Sequence, residues 1–542
     1  MSTENRQDPA PQNAPRSVPQ ESSGRGLLRS TSVVSLMTLL SRILGLVRDV
    51  VFARYFGATI VMDAFIVANR IPNMLRRFFA EGAFSQGFVP VMAEYRENSN
   101  HKEARQLVDA VAGTLGLILF LITLIGVIAA PILILLVAPG FIGDSGRFDL
   151  AEGMLRLTFP YLFFVSLTAF AGGILNTYGR FAAPAFTPVI LNVVLIGFAV
   201  LVSPRMAEPG MALAWGVFVA GVAQLLFQIP FLAKIHAVPR PRWNWQHPGV
   251  RRIAFLMLPA IFGSSVAQIN VLLNGVIASV LGVGKISMLY YADRLMEFPL
   301  GLFGIALATV TLPFLSRQHA NRATELFSNA VDWSIKLVFL IAIPAAIGLW
   351  ALAGPLVITI FYGGEFTRFD VEMTALALQA FSFGLIGFSL VKILAPAYFA
   401  RQDTRTPVKI GLVALGVNLV LSIVLAYTIS RAGLAGTHAG LALATSIAAM
   451  VNAWLLYRGL RRDGILAHAE DWPGLLLRLA IANIGMVIML AYFERPLSWW
   501  LESGLWARAG WLTFTICAAA GGYFVILLAA GLRPAQLRLR QP

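Results

Sequence analysis

Stretches of twenty or more mainly apolar residues recur along the whole chain, each about long enough to cross a bilayer's hydrocarbon. We read fourteen, at 28–53, 60–93, 106–137, 150–175, 183–203, 210–233, 253–281, 288–315, 328–359, 371–399, 407–428, 435–457, 474–493 and 509–532. Only 13% of the 542 residues are charged, against about 25% in a soluble domain. The expected fold is therefore an all-α polytopic membrane protein with about 14 transmembrane helices. Residues 1–26 are polar, rich in Pro, Ser and Gln, and hold no apolar run. They read as a disordered cytoplasmic tail rather than a signal peptide, because the apolar helix that follows is too long for a cleaved h-region.

Loop charge sets the expected orientation. One set of connections, with the C-terminal tail, holds 20 Lys and Arg; the alternate set holds 8. The rich side is read as cytoplasmic, which places both termini inside. The same distribution accounts for the net charge of +15 without any nucleic-acid partner.

The chain repeats itself. Ile174-Leu175 followed by Thr187-Pro188-Val189 recurs 219 residues later as Ile393-Leu394 followed by Thr406-Pro407-Val408. Arg147-Phe148-Asp149 recurs 221 residues later as Arg368-Phe369-Asp370, and Pro131 and Pro355 precede these at nearly the same spacing. The pattern predicts two six-helix lobes related by pseudo-two-fold symmetry, at 27–234 and 235–458, plus two C-terminal helices in 459–542. Six spans per lobe is even, so both lobes insert the same way up and the axis lies along the membrane normal. This is the plan of an alternating-access transporter.

The first two spans are also heavily charged. They carry Arg42, Arg48, Asp49, Asp63, Arg70, Arg76, Arg77 and Glu81. An arginine at mid-bilayer costs at least ~2.5 kcal/mol, so these groups must face protein or water. We expect a hydrated cavity. Arg42 and Asp49 are seven apart and share a helix face, with Arg48 turned about 100° away. A ligand role is favoured for Arg42, Arg48 and Arg76. For Asp49 and Asp63 the competing reading is an ion-pair network that holds span one to span two. In span eight, Arg294 and Glu297 are spaced to pair with each other or to line the cavity, with Asp293 beside them. Lys392, Arg478 and the Asp332/Lys336 pair sit near span ends, where snorkelling and i,i+4 pairing explain them. Guanidinium binds phosphate bidentately, so the cavity predicts an anionic substrate.

Enzyme signatures are absent: no HExxH, Walker A or GxGxxG string occurs. Gly143-Asp144-Ser145-Gly146 lies in a short loop, and Gly282-Val283-Gly284-Lys285 lacks the leading glycine of a P-loop. The single cysteine, Cys517, allows neither an internal disulfide nor a multi-thiolate metal site. No cofactor or metal is expected, and transport would draw on a gradient or potential.

Three strings carry a family resemblance. Ser41-Arg42-Ile43-Leu44-Gly45-x-x-Arg48-Asp49, Pro72-Asn73-x-Leu75-Arg76-Arg77-x-Phe79-Ala80-Glu81-Gly82-Ala83-Phe84-Ser85 and Tyr291-Ala292-Asp293-Arg294 resemble the MurJ (MviN) family. The likeness continues through Ala395-Pro396-x-Tyr398-x-x-Arg401-Gln402-Asp403 and covers nearly all of 27–530. It implies a lipid II flippase of the MOP superfamily in the bacterial inner membrane, with the cell-wall synthesis machinery as a candidate partner. It implies that Arg42, Arg48, Arg76 and Arg294 are required, that Asp49 lies beside them, and that spans thirteen and fourteen form a groove for the polyprenyl tail. Ser41, Asp63, Arg77, Glu81, Asp293 and Glu297 are secondary cavity candidates.

One departure concerns sodium, which some relatives bind through carboxylates on spans seven, eleven and twelve. Here those spans offer Asn270, Asn274, Asn418, Thr445 and Asn452 but no Asp or Glu, and membrane potential is a candidate driver. A multidrug exporter of the same superfamily and a non-transporting scaffold are the rival readings. The topology predicts that a reporter active only outside the cell, fused after Pro542, is silent; activity there would overturn the span count.

Overall fold

The computed structural model describes residues 24–77, 83–98, 101–301, 324–466 and 472–532. Most of the expected tail, Glu81, and part of span eight lie outside them. Among the described residues the chain is helical and forms no strand, only an isolated bridge between Gly363 and Phe366. Ten helices are long and apolar enough to cross a membrane. They correspond to ten of the fourteen expected spans. The other four, at 28–53, 60–93, 253–281 and 288–315, are helical where described.

In chain order the first half comprises α1 (Gly24–Phe56), α2 (Ile60–Arg76), α3 (Ala83–Asn98), α4 (His101–Ile128), α5 (Ala130–Val137), α6 (Ser145–Thr158), α7 (Tyr161–Thr177), α8 (Ala182–Gly197) and α9 (Met211–Lys234). The second half comprises α10 (Pro248–Val280), α11 (Lys285–Pro299), α12 (Thr324–Ala351), α13 (Ala353–Phe361), α14 (Arg368–Ala400), α15 (Arg405–Arg431) and α16 (Thr437–Arg462). Then come α17 (Trp472–Tyr492), the short α18 (Leu497–Glu502) and α19 (Leu505–Ala529).

Several expected spans are broken. The expected 106–137 breaks at Ala129, just before Pro131, and 150–175 breaks at Pro160. Proline has no N–H to continue the ladder but suits a helix start. The expected 328–359 breaks at Leu352 in the same relative place. The α4–α5 break and the α12–α13 break are therefore counterparts, as the sequence repeat implies. The repeated Arg-Phe-Asp strings both open helices. Asp144 caps α6 by accepting from the Arg147 amide, and Thr367 and Asp370 form a capping box at α14. Ile174, Leu175, Ile393 and Leu394 are all buried.

Helices α1, α2 and α6–α9 pack together; α11, α12 and α14–α16 form the second group. Helix α10 touches both, meeting α3 on one side and α15 on the other. The last pair, α17 and α19, pack on each other and dock against α12 and α13.

On the arginine-poor side a seam joins the two groups. Asp63 is fully buried there. Its Oδ2 accepts from the Gly284 amide at 2.6 Å, and its Oδ1 accepts from the Ser287 amide at 2.9 Å and the Ser287 hydroxyl at 2.6 Å. The carboxylate of α2 thus caps the N-terminus of α11, where unpaired N–H groups and the helix dipole favour an anion. Arg147 lies 3.9 Å behind it, over the Phe141 ring. Gly284 and Gly364, both at positive φ, permit the close approach: a Cβ there would overlap the Ala58 and Arg54 carbonyls. The Glu365 amide donates to the Arg54 carbonyl at 2.9 Å. Asp63→Ala removes this cap, worth about 0.5–2 kcal/mol, and leaves Arg147 with Asp144 alone, 3.9 Å away. An Ala58→Cys reporter in a Cys517→Ser background should then react severalfold faster with an impermeant maleimide; an unchanged rate would show that the cap does not hold the seam.

Candidate functional site

A cavity of about 600 Å³ opens between the two groups. Its wall comes mainly from α1, α2, α8 and α11, with Lys392 from α14. Six cations line it, Arg42, Arg48, Arg76, Arg77, Arg294 and Lys392, against two carboxylates, Asp49 and Glu297. The wall therefore carries a surplus of four positive charges, and among the described residues no cluster of His, Cys, Asp or Glu could hold a metal.

Asp49 organises the cations. It is 2% exposed, and both of its oxygens are engaged. Oδ1 accepts from Arg48 Nη2 at 2.7 Å, Arg48 Nε at 3.1 Å and the Tyr290 hydroxyl at 2.9 Å. Oδ2 faces Arg294 Nε at 3.1 Å. Neighbouring residues on a helix normally diverge, but the long Arg48 side chain folds back to its neighbour's carboxylate. Its other nitrogens are also held: Nη1 donates to Asn192 Oδ1 at 3.0 Å and Nη2 to the Tyr290 hydroxyl at 3.3 Å. Asn192 in turn donates from Nδ2 to the Ser41 carbonyl at 3.1 Å, so α8 fixes both the arginine and the backbone of α1. Arg294 splits its guanidinium between Asp49 and Glu297, 3.1 Å away.

The remaining cations differ in how they are held. Arg42 forms no ion pair or side-chain hydrogen bond among the described residues; its guanidinium lies against Gly301. Arg76 donates from Nε to Asn73 Oδ1 at 2.9 Å. Arg77 donates to Gln268 on α10 at 3.3 Å, which ties the end of α2 to the helix that touches both groups.

Of the sequence candidates, Ser41, Arg42, Arg48, Asp49, Arg76, Arg77, Arg294 and Glu297 line the cavity. Asp63 does not; it is at the seam. The proposed network between spans one and two is corrected accordingly: Asp49 and Asp63 each tie their helix to span eight instead. Asp293 is absent from the lining and lies within electrostatic reach of Arg70, Arg77 and Glu297. Lys392, read as snorkelling, is instead a wall residue, because α14 runs beside α11. The Asp332–Lys336 pair is formed at 2.8 Å, as its spacing implies. Sequence reasoning missed Asn192 and passed over Tyr290. A lone amide inside the apolar 189–199 run was the available signal, since a polar group in a span needs a partner.

The string at 395–403 is structural. Tyr398 is buried and donates to the Leu456 carbonyl at 2.9 Å. Asp403 accepts from the Arg405 and Thr406 amides, and its hydrogen bonds to Thr406 hold its carboxyl below the usual carboxylate range. Four polar residues of spans seven, eleven and twelve bond to one another. Asn418 Nδ2 donates to Asn270 and Asn274 at 2.7 and 2.8 Å, and Asn274 Nδ2 donates to the Thr445 hydroxyl at 3.0 Å.

Removing Asp49 leaves two guanidiniums facing each other with their shared anion gone. Asp49→Ala should cost roughly 3 kcal/mol of stability, read as a lower unfolding temperature in detergent. Arg48→Ala/Asp49→Ala should recover part of that loss, and equal losses would argue that the pair is not what holds α1 to α11.

Comparison with known proteins places this geometry. The sequence profile described as Lipid II flippase MurJ matches residues 52–508. A probable lipid II flippase MurJ of Vibrio cholerae is 46% identical over 94% of this chain and 98% of its own. The lipid II flippase MurJ of Burkholderia cenocepacia is 44% identical over 86% of this chain and 89% of its own. A solved lipid II flippase MurJ in an inward closed conformation superposes with a TM-score of 0.73 at 27% identity, covering 91% of this chain and 99% of that one. An inward-facing MATE multidrug transporter of the MOP superfamily superposes with a TM-score of 0.63 at 16% identity, over 80% of this chain and 98% of its own, a likeness of fold.

Proposed function

The chain belongs to the lipid II flippase MurJ family, and from that premise we propose that it moves lipid II from the inner to the outer leaflet of the bacterial cytoplasmic membrane. The observation that carries this reading is the cationic surplus of the cavity wall. A pyrophosphate brings its own negative charge into a region of low dielectric, where paired guanidinium contacts are strong.

Two kinds of arginine divide the work. Arg48 and Arg294 are held by Asp49 and keep a fixed shape. Arg42, with no anion of its own among the described residues, is the first contact for the pyrophosphate, and Arg76 supports it from α2. The seam at Asp63 keeps the cavity shut on the arginine-poor side, which we read as the outside, with both termini in the cytoplasm. The rocking bodies are residues 27–234 and 235–458, and the helices of 459–542 take the polyprenyl tail. Membrane potential, worth about 2.3 kcal/mol per charge per 100 mV, drives the cycle. The MATE likeness keeps a multidrug exporter as the second reading, but a wall with four surplus cations disfavours a cationic drug.

Arg42→Ala should abolish precursor exposure on the outer leaflet without lowering the unfolding temperature. Arg42→Lys should restore it only in part, because lysine keeps the charge and loses the fork. For Arg48 the informative variant is Arg48→Ala/Asp49→Ala at matched membrane levels. Continued loss of flipping assigns Arg48 to the substrate, and recovery toward wild type makes it a strut.

A further inference from the structure

The connection between α9 and α10 reads Val238-Pro239-Arg240-Pro241-Arg242-Trp243-Asn244-Trp245. It runs as a strap along α4. Every second amide points at that helix. Arg240 donates to Asp109 Oδ1 at 2.7 Å, Arg242 to the Asp109 carbonyl at 3.0 Å and Asn244 to the Thr114 hydroxyl at 3.4 Å. Asp109 and Thr114 are buried beneath it. Gly113 lets the strap lie flush, since a Cβ there would overlap the Arg242 backbone. The prolines fall at the intervening positions, where an extended chain turns its N–H away from the helix. They remove donors that would otherwise go unpaired at a membrane surface.

The outward face is equally ordered. Trp243 and Trp245 are 58% and 42% exposed and have no aromatic partner among the described residues. Arg240, Arg242 and Arg251 are exposed, and their guanidiniums carry no ion pair there, whereas Arg252 pairs with Glu94 at 2.8 Å. Helices α4 and α5 together are roughly 55 Å long at 1.5 Å per residue, well beyond a hydrocarbon core of about 30 Å. The third and fourth turns of α4, where Asp109 and Thr114 hold the strap, therefore reach the headgroup region on the Lys/Arg-rich side. Tryptophan prefers that depth, and unpaired arginines there seek phosphate.

We propose that residues 239–245 are a pre-built anchor for anionic phospholipid headgroups, with Arg240 and Arg242 on the phosphate and Trp243 and Trp245 set among the headgroups. The hydrogen bonds to α4 are all made by the backbone, so Arg240→Gln/Arg242→Gln leaves the strap in place. The test uses the full chain in phosphatidylcholine vesicles and compares immobilisation of spin-labelled phosphatidylglycerol with that of spin-labelled phosphatidylcholine. Wild type should favour phosphatidylglycerol, and added salt should weaken that preference. The double variant should lower the preference by up to about fivefold per arginine at low salt, and Arg240→Lys/Arg242→Lys should largely keep it. The readout is lipid association and does not depend on transport. Absence of any preference in wild type, or a preference that survives in Arg240→Gln/Arg242→Gln, overturns the proposal.

Discussion

Two carboxylates, Asp49 on α1 and Asp63 on α2, hold the same helix, α11, and the rest of the arrangement depends on them. Asp63 caps its N-terminus through Gly284 and Ser287. Asp49 takes Arg294, seven residues beyond Ser287 and roughly 10 Å along the axis. In a bilayer an unpaired charge is costly at either point. The helix is thus pinned at the seam and again beside the cavity, by partners more than two hundred residues away in sequence.

The two pins differ chemically. At the seam the anion meets backbone N–H groups and a hydroxyl, with Arg147 behind, and water is excluded. At the cavity Asp49 is shared between two guanidiniums that border an open wall. An entering anion adds charge where the cations are in surplus and can compete there for Arg294, which is already divided between Asp49 and Glu297. In the function proposed above, substrate would thereby be coupled to the helix that Asp63 caps at the seam. Away from the cavity, where α10, α15 and α16 meet, the Asn270, Asn274, Asn418 and Thr445 side chains bond to one another.

Much of this was legible in the sequence. Span-length apolar runs require helices, and the repeated Pro131/Pro355 and Arg-Phe-Asp strings mark equivalent helix starts. The density of arginines in the first two spans requires a hydrated or paired interior, and eight of the eleven candidates do line the cavity. These inferences hold because they depend on transfer free energy and local backbone geometry, which a residue and its near neighbours decide.

Partnership was not legible. Helical spacing turned Arg48 away from Asp49, yet the flexible guanidinium folds back, drawn by Asn192 and Tyr290 from α8 and α11. Asp63 looked like a cavity charge from its place among the others, but the close approach allowed by Gly284 makes it a helix cap. Lys392 had the spacing of a snorkelling residue, and only the placement of α14 beside α11 turns it inward. The sequence by itself determined which segments are helices in a membrane and that their charges must be neutralised or hydrated. The tertiary structure alone decided which charge meets which, because side-chain reach and backbone approach between distant helices depend on coordinates that no local pattern encodes.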